Sequence, residues 1–247
     1  MTGFLNDSSA TSPDVAAAAA KGCLAVLAIG ALEQHGPHLP LVTDTVLAQG
    51  VARRIAEGIE GWLLPPVAYG DAWNNEGLAG TISLSPDTLR AVIEDIGRGV
   101  ARLGFKGQVI INGHFGNREP IALAARRLVA ETTLKVMYLD YPKLEVFAGE
   151  IATSKPAGPG FYHADEVETS MMLALAPAIV RLDLAAAEYP AFPETFGSEP
   201  MHLSEFNRSG VFGDPRPATA EKGEALIGKI VAESVRLIGL WRVRHSI

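Results

Sequence analysis

The sequence predicts an α/β fold in which a mostly parallel sheet is covered by helices on both faces. Three observations carry this reading. Short apolar runs, CLAVLAIG (23–30), QVIING (108–113) and LKVMYLD (134–140), read as strands buried on both sides, as does WLLPPVAYG (62–70), which ends in a Pro/Gly loop. Segments with apolar residues at helical spacing lie between them. The two kinds alternate along the chain, which is the pattern a parallel sheet requires.

In order, TVLAQGVARRIAEGI (45–59) is the first helix of this alternation. Ser85 as N-cap and Pro86 at the first helical position open another, which runs to about Leu103 and stops at Gly104. Further helices are expected over 117–131, from near Asp165 to before Pro177, and over 219–241. The Pro/Gly/Phe-rich stretch 189–217 reads as a long irregular segment: a surface excursion, a lid or an oligomer contact. Residues 1–22 read as a poorly ordered lead-in and residues 23–247 as one domain.

The composition narrows the function. The chain has 247 residues, 48% of them hydrophobic, and a formal net charge of −7. Its length suits one sizeable core. A modest acidic excess without a Lys/Arg cluster argues against nucleic acid or an anionic membrane as partner. Cys23 is the single cysteine, so no disulfide can form within the chain, which fits a reducing compartment. The run Ala16–Ala20 is too short for a signal peptide or a spanning helix, and a cytoplasmic location is expected.

Three clusters carry chemistry. The first, GALEQHGPHLPLVTD (30–44), follows a strand and holds Glu33, His35, His38 and Asp44. Its glycines and prolines make a shaped loop at the carboxyl end of a strand, where open α/β sheets bind ligands. Its acids and imidazoles are ligand types suited to Zn²⁺, Mn²⁺ or Fe²⁺. The second is INGHFGN (111–117), in which Asn112 and Asn117 can orient His114 or cap the next helix. The third is HADEVETS (163–170), with His163 and Glu168 at a helix start. Singly, these have structural explanations: a polar turn, a strand-ending turn, and acids that complement a helix dipole. Jointly, they put four of the six histidines at one sheet edge. The loop after Gly70 should face the same edge, so Asp71, Trp73 and Asn74 are candidate substrate contacts, with Phe115 and Tyr162 as candidate pocket walls. There is no G-x-S-x-G elbow, no P-loop, no G-x-G-x-x-G fingerprint and no C-x-x-C.

At these clusters, and at Gly80-Thr81-Ile82-Ser83-Leu84 between them, the chain resembles the creatininase (creatinine amidohydrolase) family from about residue 23 to the last helix. The resemblance implies a three-layer α/β/α domain, often a homohexamer, that opens an amide bond with a hydroxide held between two divalent metals. Carried over, Glu33 and His114 would bind one metal and His35 the other, with Asp44 bridging and Glu168 a further ligand. His163 would be the acid/base, Glu168 an alternative base, and His38 an orienting residue behind the ligands. Two departures matter. Creatininase has an acidic ligand two residues after the histidine of the second cluster, where this chain has Gly116, so the second metal relies on Glu168, is weakly held or is absent. The aromatic residues that sandwich creatinine have no clear counterparts, although Phe161 and Tyr162 sit close. The expected substrate is therefore a small C–N compound such as a cyclic amide, other than creatinine. The alternatives are a deformylase or peptidase of cofactor biosynthesis, or a non-catalytic metal- or ligand-binding member of the fold.

Overall fold

The computed structural model describes residues 10–247. Four parallel strands form the sheet: β1 (Ala25–Ile29), β2 (Trp62–Leu63), β3 (Gly107–Asn112) and β4 (Lys135–Leu139). Their order is β2-β1-β3-β4. The chain builds outward from β1 to β2, then crosses back to place β3 on the other side of β1. The switch point of the sheet therefore lies between β1 and β3, whose carboxyl ends feed the first two clusters. Ile29 stands beside Asn112 in that ladder, which brings the two loops level with each other.

β1 is buried along its whole length because both of its faces are covered. Val26 and Ala28 pack with α2 (Thr43–Gly58), α6 (Glu166–Leu175) and α7 (Ala220–His245). Leu27 and Ile29 pack with Leu89 and Ile93 of α3 (Pro86–Arg102) and Ile121 of α4 (Arg118–Glu131). Each fully buried Leu or Ile contributes roughly 1.5–3 kcal/mol. The result is the three-layer α/β/α arrangement with a parallel sheet. β4 is an edge strand and only half-buried, so the both-faces-buried reading holds for β1 and β3 but not for it.

Two other expectations are corrected, and one helix is added. Residues 12–21 of the supposed lead-in form a helix, α1 (Ser12–Lys21); the rest of that reading, over 1–9, lies outside the described residues. The Thr11 amide donates to Asp14 Oδ2 (2.7 Å), Gly22 closes the helix at φ +80°, and Ala18 packs with Trp62, Val100 and Phe105. The strand read over 62–70 is only Trp62–Leu63, because Pro65 and Pro66 cannot donate to a ladder. An unexpected helix, α5 (Leu144–Ile151), follows β4.

α6 is held in place by its buried first turn. Asp165 caps it by accepting from the Val167 and Glu168 amides. Glu166 accepts from the amides of Thr153 (2.9 Å) and Ser154 (2.6 Å) and pairs with Lys222 of α7. Burial opposes its charge, but these partners hold its carboxyl down at about 2. That anchoring fixes the helix that carries Glu168.

Candidate active site at the carboxyl edge of the sheet

Glu33 and His35 come from the loop after β1, Asp44 from the first turn of α2, His114 from the loop after β3, and Glu168 from the first turn of α6. Their polar atoms meet at one buried centre. The two Asp44 oxygens face different ways: Oδ1 lies 3.0 Å from His35 Nε2, and Oδ2 lies 3.2 Å from His114 Nδ1. Glu33 Oε1 stands 3.3 Å from His114 Nδ1, and Glu168 Oε2 3.6 Å from His35 Nε2. Two cation-sized groupings result, Glu33/Asp44/His114 and His35/Asp44/Glu168, each with ligand atoms within 4.8 Å of one another. A third, Glu33/His35/His163, satisfies the same distance criterion.

The site fits divalent cations on its own chemistry. His35 Nε2 and Asp44 Oδ2 are fully buried and have no hydrogen-bond partner, which would be costly in a centre meant to stay apolar or merely paired. Both imidazoles have their far nitrogens committed: His35 Nδ1 donates to the Glu33 carbonyl (3.2 Å) and His114 Nε2 to the Asp71 carbonyl (2.8 Å). The centre-facing nitrogen of each ring is then the one that can exchange its proton for a cation, as metal-binding histidines require. Burial disfavours charge on the rings, yet Asp44, Glu168 and Glu33 outweigh it and hold His35 up at about 10. Burial likewise opposes charge on His114, where Glu33 and Asp44 raise it well above the ordinary histidine range. A field that strong for a proton is equally a field for a metal cation.

Asparagines lock the loops around this centre. Asn117 accepts from the Asp71 amide (2.9 Å) and donates to the Gly30 carbonyl (3.0 Å) and to Asn112 Oδ1 (3.2 Å). Asn112 holds both the amide and the carbonyl of His114. Three loops are thereby tied by two amide side chains. Ala164 sits at φ +52°, a left-handed conformation costly for a residue with Cβ, and its amide donates to Glu168 Oε2 (2.6 Å).

Gly116 has a positive reason to lack a side chain. A Cβ there would collide with the Asp71 carbonyl and come within 2.8 Å of His114 Nε2, the two partners of the hydrogen bond that fixes His114. The Asp71 backbone occupies the space that a side chain at this position would need.

A cavity of about 310 Å³ opens over the centre, with Glu33, Asp44, His114, His163 and Glu168 in its lining. An adjoining cavity of about 540 Å³ shares His114, Phe115, Tyr162 and Glu168 with it and extends past Tyr141, Leu144 and Met171. Phe115 and Tyr162 line both spaces, and Asn74 lines the smaller. Asp71 and Trp73 do not line either. Asp71 acts through its backbone carbonyl, while Trp73 stacks on His202 (4.3 Å between centroids), and both border a separate groove with Ser83–Pro86. His38 stands behind the centre: its Nε2 meets Thr169 Oγ1 (2.9 Å), next to Glu168 on α6. The 189–217 segment carries Phe196 and Leu203 into the cavity wall, with Phe192, Phe206 and Phe212 packed behind them. Gln34, buried beside His163, and Asn75, bonded to Glu33, complete the site. Gln34 was not recognisable from its neighbours in sequence.

A parallel α/β/α layer structure with an acid- and imidazole-lined cavity at its switch point places a cation-binding type of side-chain set where open α/β sheets hold their ligands. The profile of the creatininase family, described as creatinine amidohydrolase, matches residues 8–238, and the chain belongs to that family of hydrolases. A mycofactocin precursor peptide peptidase of Mycobacterium ulcerans (strain Agy99) is 34% identical over 227 residues, 87% of this chain and 84% of the relative. A creatinine amidohydrolase of Pseudomonas putida is 32% identical over 223 residues, 85% and 86% of the two chains. Among solved structures, one described as "Creatininase Mn" superposes with a TM-score of 0.84 at 29% identity, covering 98% of this chain and 99% of the other. A creatininase variant described as of Zn-Zn type gives the same TM-score and identity, covering 99% of both chains. Among the described residues no helix is long and apolar enough to cross a membrane.

Proposed function

We propose that this chain is a metal-dependent amidohydrolase that holds two divalent ions and cleaves a C–N bond in a substrate larger than creatinine. The observation that carries the reading is Asp44, whose oxygens face a different imidazole each, 3.0 and 3.2 Å away, so that one carboxylate serves two cation positions. Glu33 and His114 would complete one position, His35 and Glu168 the other. Zn²⁺, Mn²⁺ and Fe²⁺ suit this mixed carboxylate and imidazole set. When bound, such ions supply Lewis acidity toward an amide carbonyl and make water nucleophilic near neutral pH.

The chain's own residues supply orientation and proton handling. Phe115 and Tyr162 both line the space for the substrate. His163 and Glu168 reach the same space from α6 and the turn before it, close enough to meet a reacting amide. The adjoining cavity favours a second, more specific version of the reading, in which the amide joins a substantial side group or peptide segment. That version also accords with the peptidase name of the 34%-identical mycobacterial relative. His163→Ala is expected to cut kcat on short peptides, cyclic amides or formamides by about 10²–10⁴-fold while leaving bound metal unchanged. Turnover by steady-state kinetics and metal by emission spectrometry check this; loss of metal in the variant would make His163 a ligand and overturn its assigned role.

A further inference from the structure

Three histidines face the centre, and two of them are wired alike. His35 and His114 each donate from the far nitrogen to a backbone carbonyl, so the near nitrogen is the one that can give up its proton to a cation. His163 is wired the opposite way. Its Nε2 lies 2.9 Å from Gln34 Nε2, an amide nitrogen that can only donate.

The orientation of that amide is fixed from both ends. Asn75 presents Nδ2 to Glu33 Oε2 (2.8 Å) and turns Oδ1 the other way. Asn75 Oδ1 then accepts from Gln34 Nε2 (2.7 Å). At the other end Gln34 Oε1 accepts from the Gly36 amide (3.1 Å), which can only be a donor. With both hydrogens of Gln34 Nε2 assigned, one to Asn75 and one to His163, His163 Nε2 must be the acceptor. An imidazolium would set N–H against N–H there. The ring therefore carries its proton on Nδ1, the nitrogen that lies 3.5 Å from Glu33 Oε1 and faces the centre. Gln34 and Asn75 are both buried, at 6% and 4% exposure, so water does not compete for these bonds. Gly210 closes the relay from above: a Cβ there would overlap the Gln34 amide, which ties the 189–217 segment to this wiring.

We infer that Gln34 and Asn75 are positioning residues that fix His163 as a neutral hydrogen-bond donor through Nδ1, which makes it neither a metal ligand nor the resting proton acceptor. A neutral imidazole in this state can polarise a substrate carbonyl or stabilise the oxyanion that develops on it, and need not lose its proton to do so. The third geometric grouping, Glu33/His35/His163, is then no cation site, because Nδ1 has no free lone pair. The catalytic consequence rests on the hydrolase reading above, but the tautomer does not.

The test is long-range ¹⁵N–¹H correlation spectroscopy of the imidazoles in the protein as purified, with the His163 signals assigned by their loss in His163→Gln. The expected result is a protonated Nδ1 and an unprotonated Nε2 at neutral pH. Gln34→Glu, which offers Nε2 an acceptor, should move the proton to Nε2 and lower kcat by about 10²-fold or more, with KM changed far less. An unprotonated Nδ1 or a doubly protonated ring in the parent protein overturns the inference whatever the variant does. An unchanged tautomer in a folded Gln34→Glu overturns the role given to Gln34. If the tautomer is as expected and no amide substrate is turned over, the hydrolase reading fails and the wiring stands.

Discussion

Asp44→Asn is expected to strip the protein of both ions and of its hydrolytic activity. Asp44 is 1% exposed and is the one carboxylate shared by both groupings. Burial opposes its charge, and the facing His35 and His114 nonetheless hold its carboxyl well below the usual carboxylate range. An asparagine keeps the shape but turns one of the two oxygens into an NH₂ donor, which has no lone pair to offer a cation. Outer partners of metal-bound histidines are worth about 10–100-fold in affinity. A shared direct ligand should cost more than that for each ion, and turnover should fall by at least about 10³-fold. A ligand that binds only the folded state raises its stability. Chelator should therefore lower the melting temperature of the parent protein but leave that of Asp44→Asn unmoved. Calorimetric melts with and without chelator measure this directly; an equal chelator effect in both proteins would remove Asp44 from the metal site.

Gly116→Asp is expected to weaken metal binding, although it places an acid where creatininase has one. The Cβ of any residue at 116 overlaps the Asp71 carbonyl, which belongs to the backbone and cannot swing aside like a flexible side chain. Forcing it away breaks the 2.8 Å bond from His114 Nε2, and with it the device that keeps the His114 lone pair on Nδ1. A drop in metal affinity of about 10–100-fold is expected. Gly116→Ala, with the same Cβ and no carboxylate, should lose a similar amount. Competition titrations against a metal-sensitive dye compare the two variants. Tighter binding by Gly116→Asp than by the parent would show that the 71–76 loop yields, and that the missing acid is simply a lost ligand.

Much of this site is legible in the sequence because its ligand types sit beside strong breaks in periodicity. Glycines and asparagines ending apolar runs mark strand ends, and strand ends in a parallel sheet share an edge. That reasoning is enough to bring residues 33, 44 and 114 together, while Glu168, at a helix start that follows no strand, is added by the family resemblance. It also reads Ser85-Pro86 as a helix start, where the Ser85 side chain accepts from the Thr88 amide as an N-cap should. What the sequence conceals has physical causes. The Pro65-Pro66 pair removes two ladder donors, so an apolar run that looks like a strand stops after Trp62–Leu63. α1 depends on tertiary burial of Ala18 against Trp62 and Val100, partners distant in sequence. Asp71 contributes a backbone carbonyl, which every residue possesses and no motif advertises. Gln34 lies between Glu33 and His35 and draws no attention there. Its meaning depends on Asn75 and His163, 41 and 129 residues away.

In the proposed site Asp44 joins two cation positions, one of which Glu168 completes in place of the acid absent at Gly116. Metal equivalents per chain, measured on protein purified without chelator beside Glu168→Ala, test it most directly. Two equivalents in the parent and one in the variant are expected. One equivalent in both would mean a mononuclear site with Glu168 free to act as base, and no metal in either would contradict the account altogether.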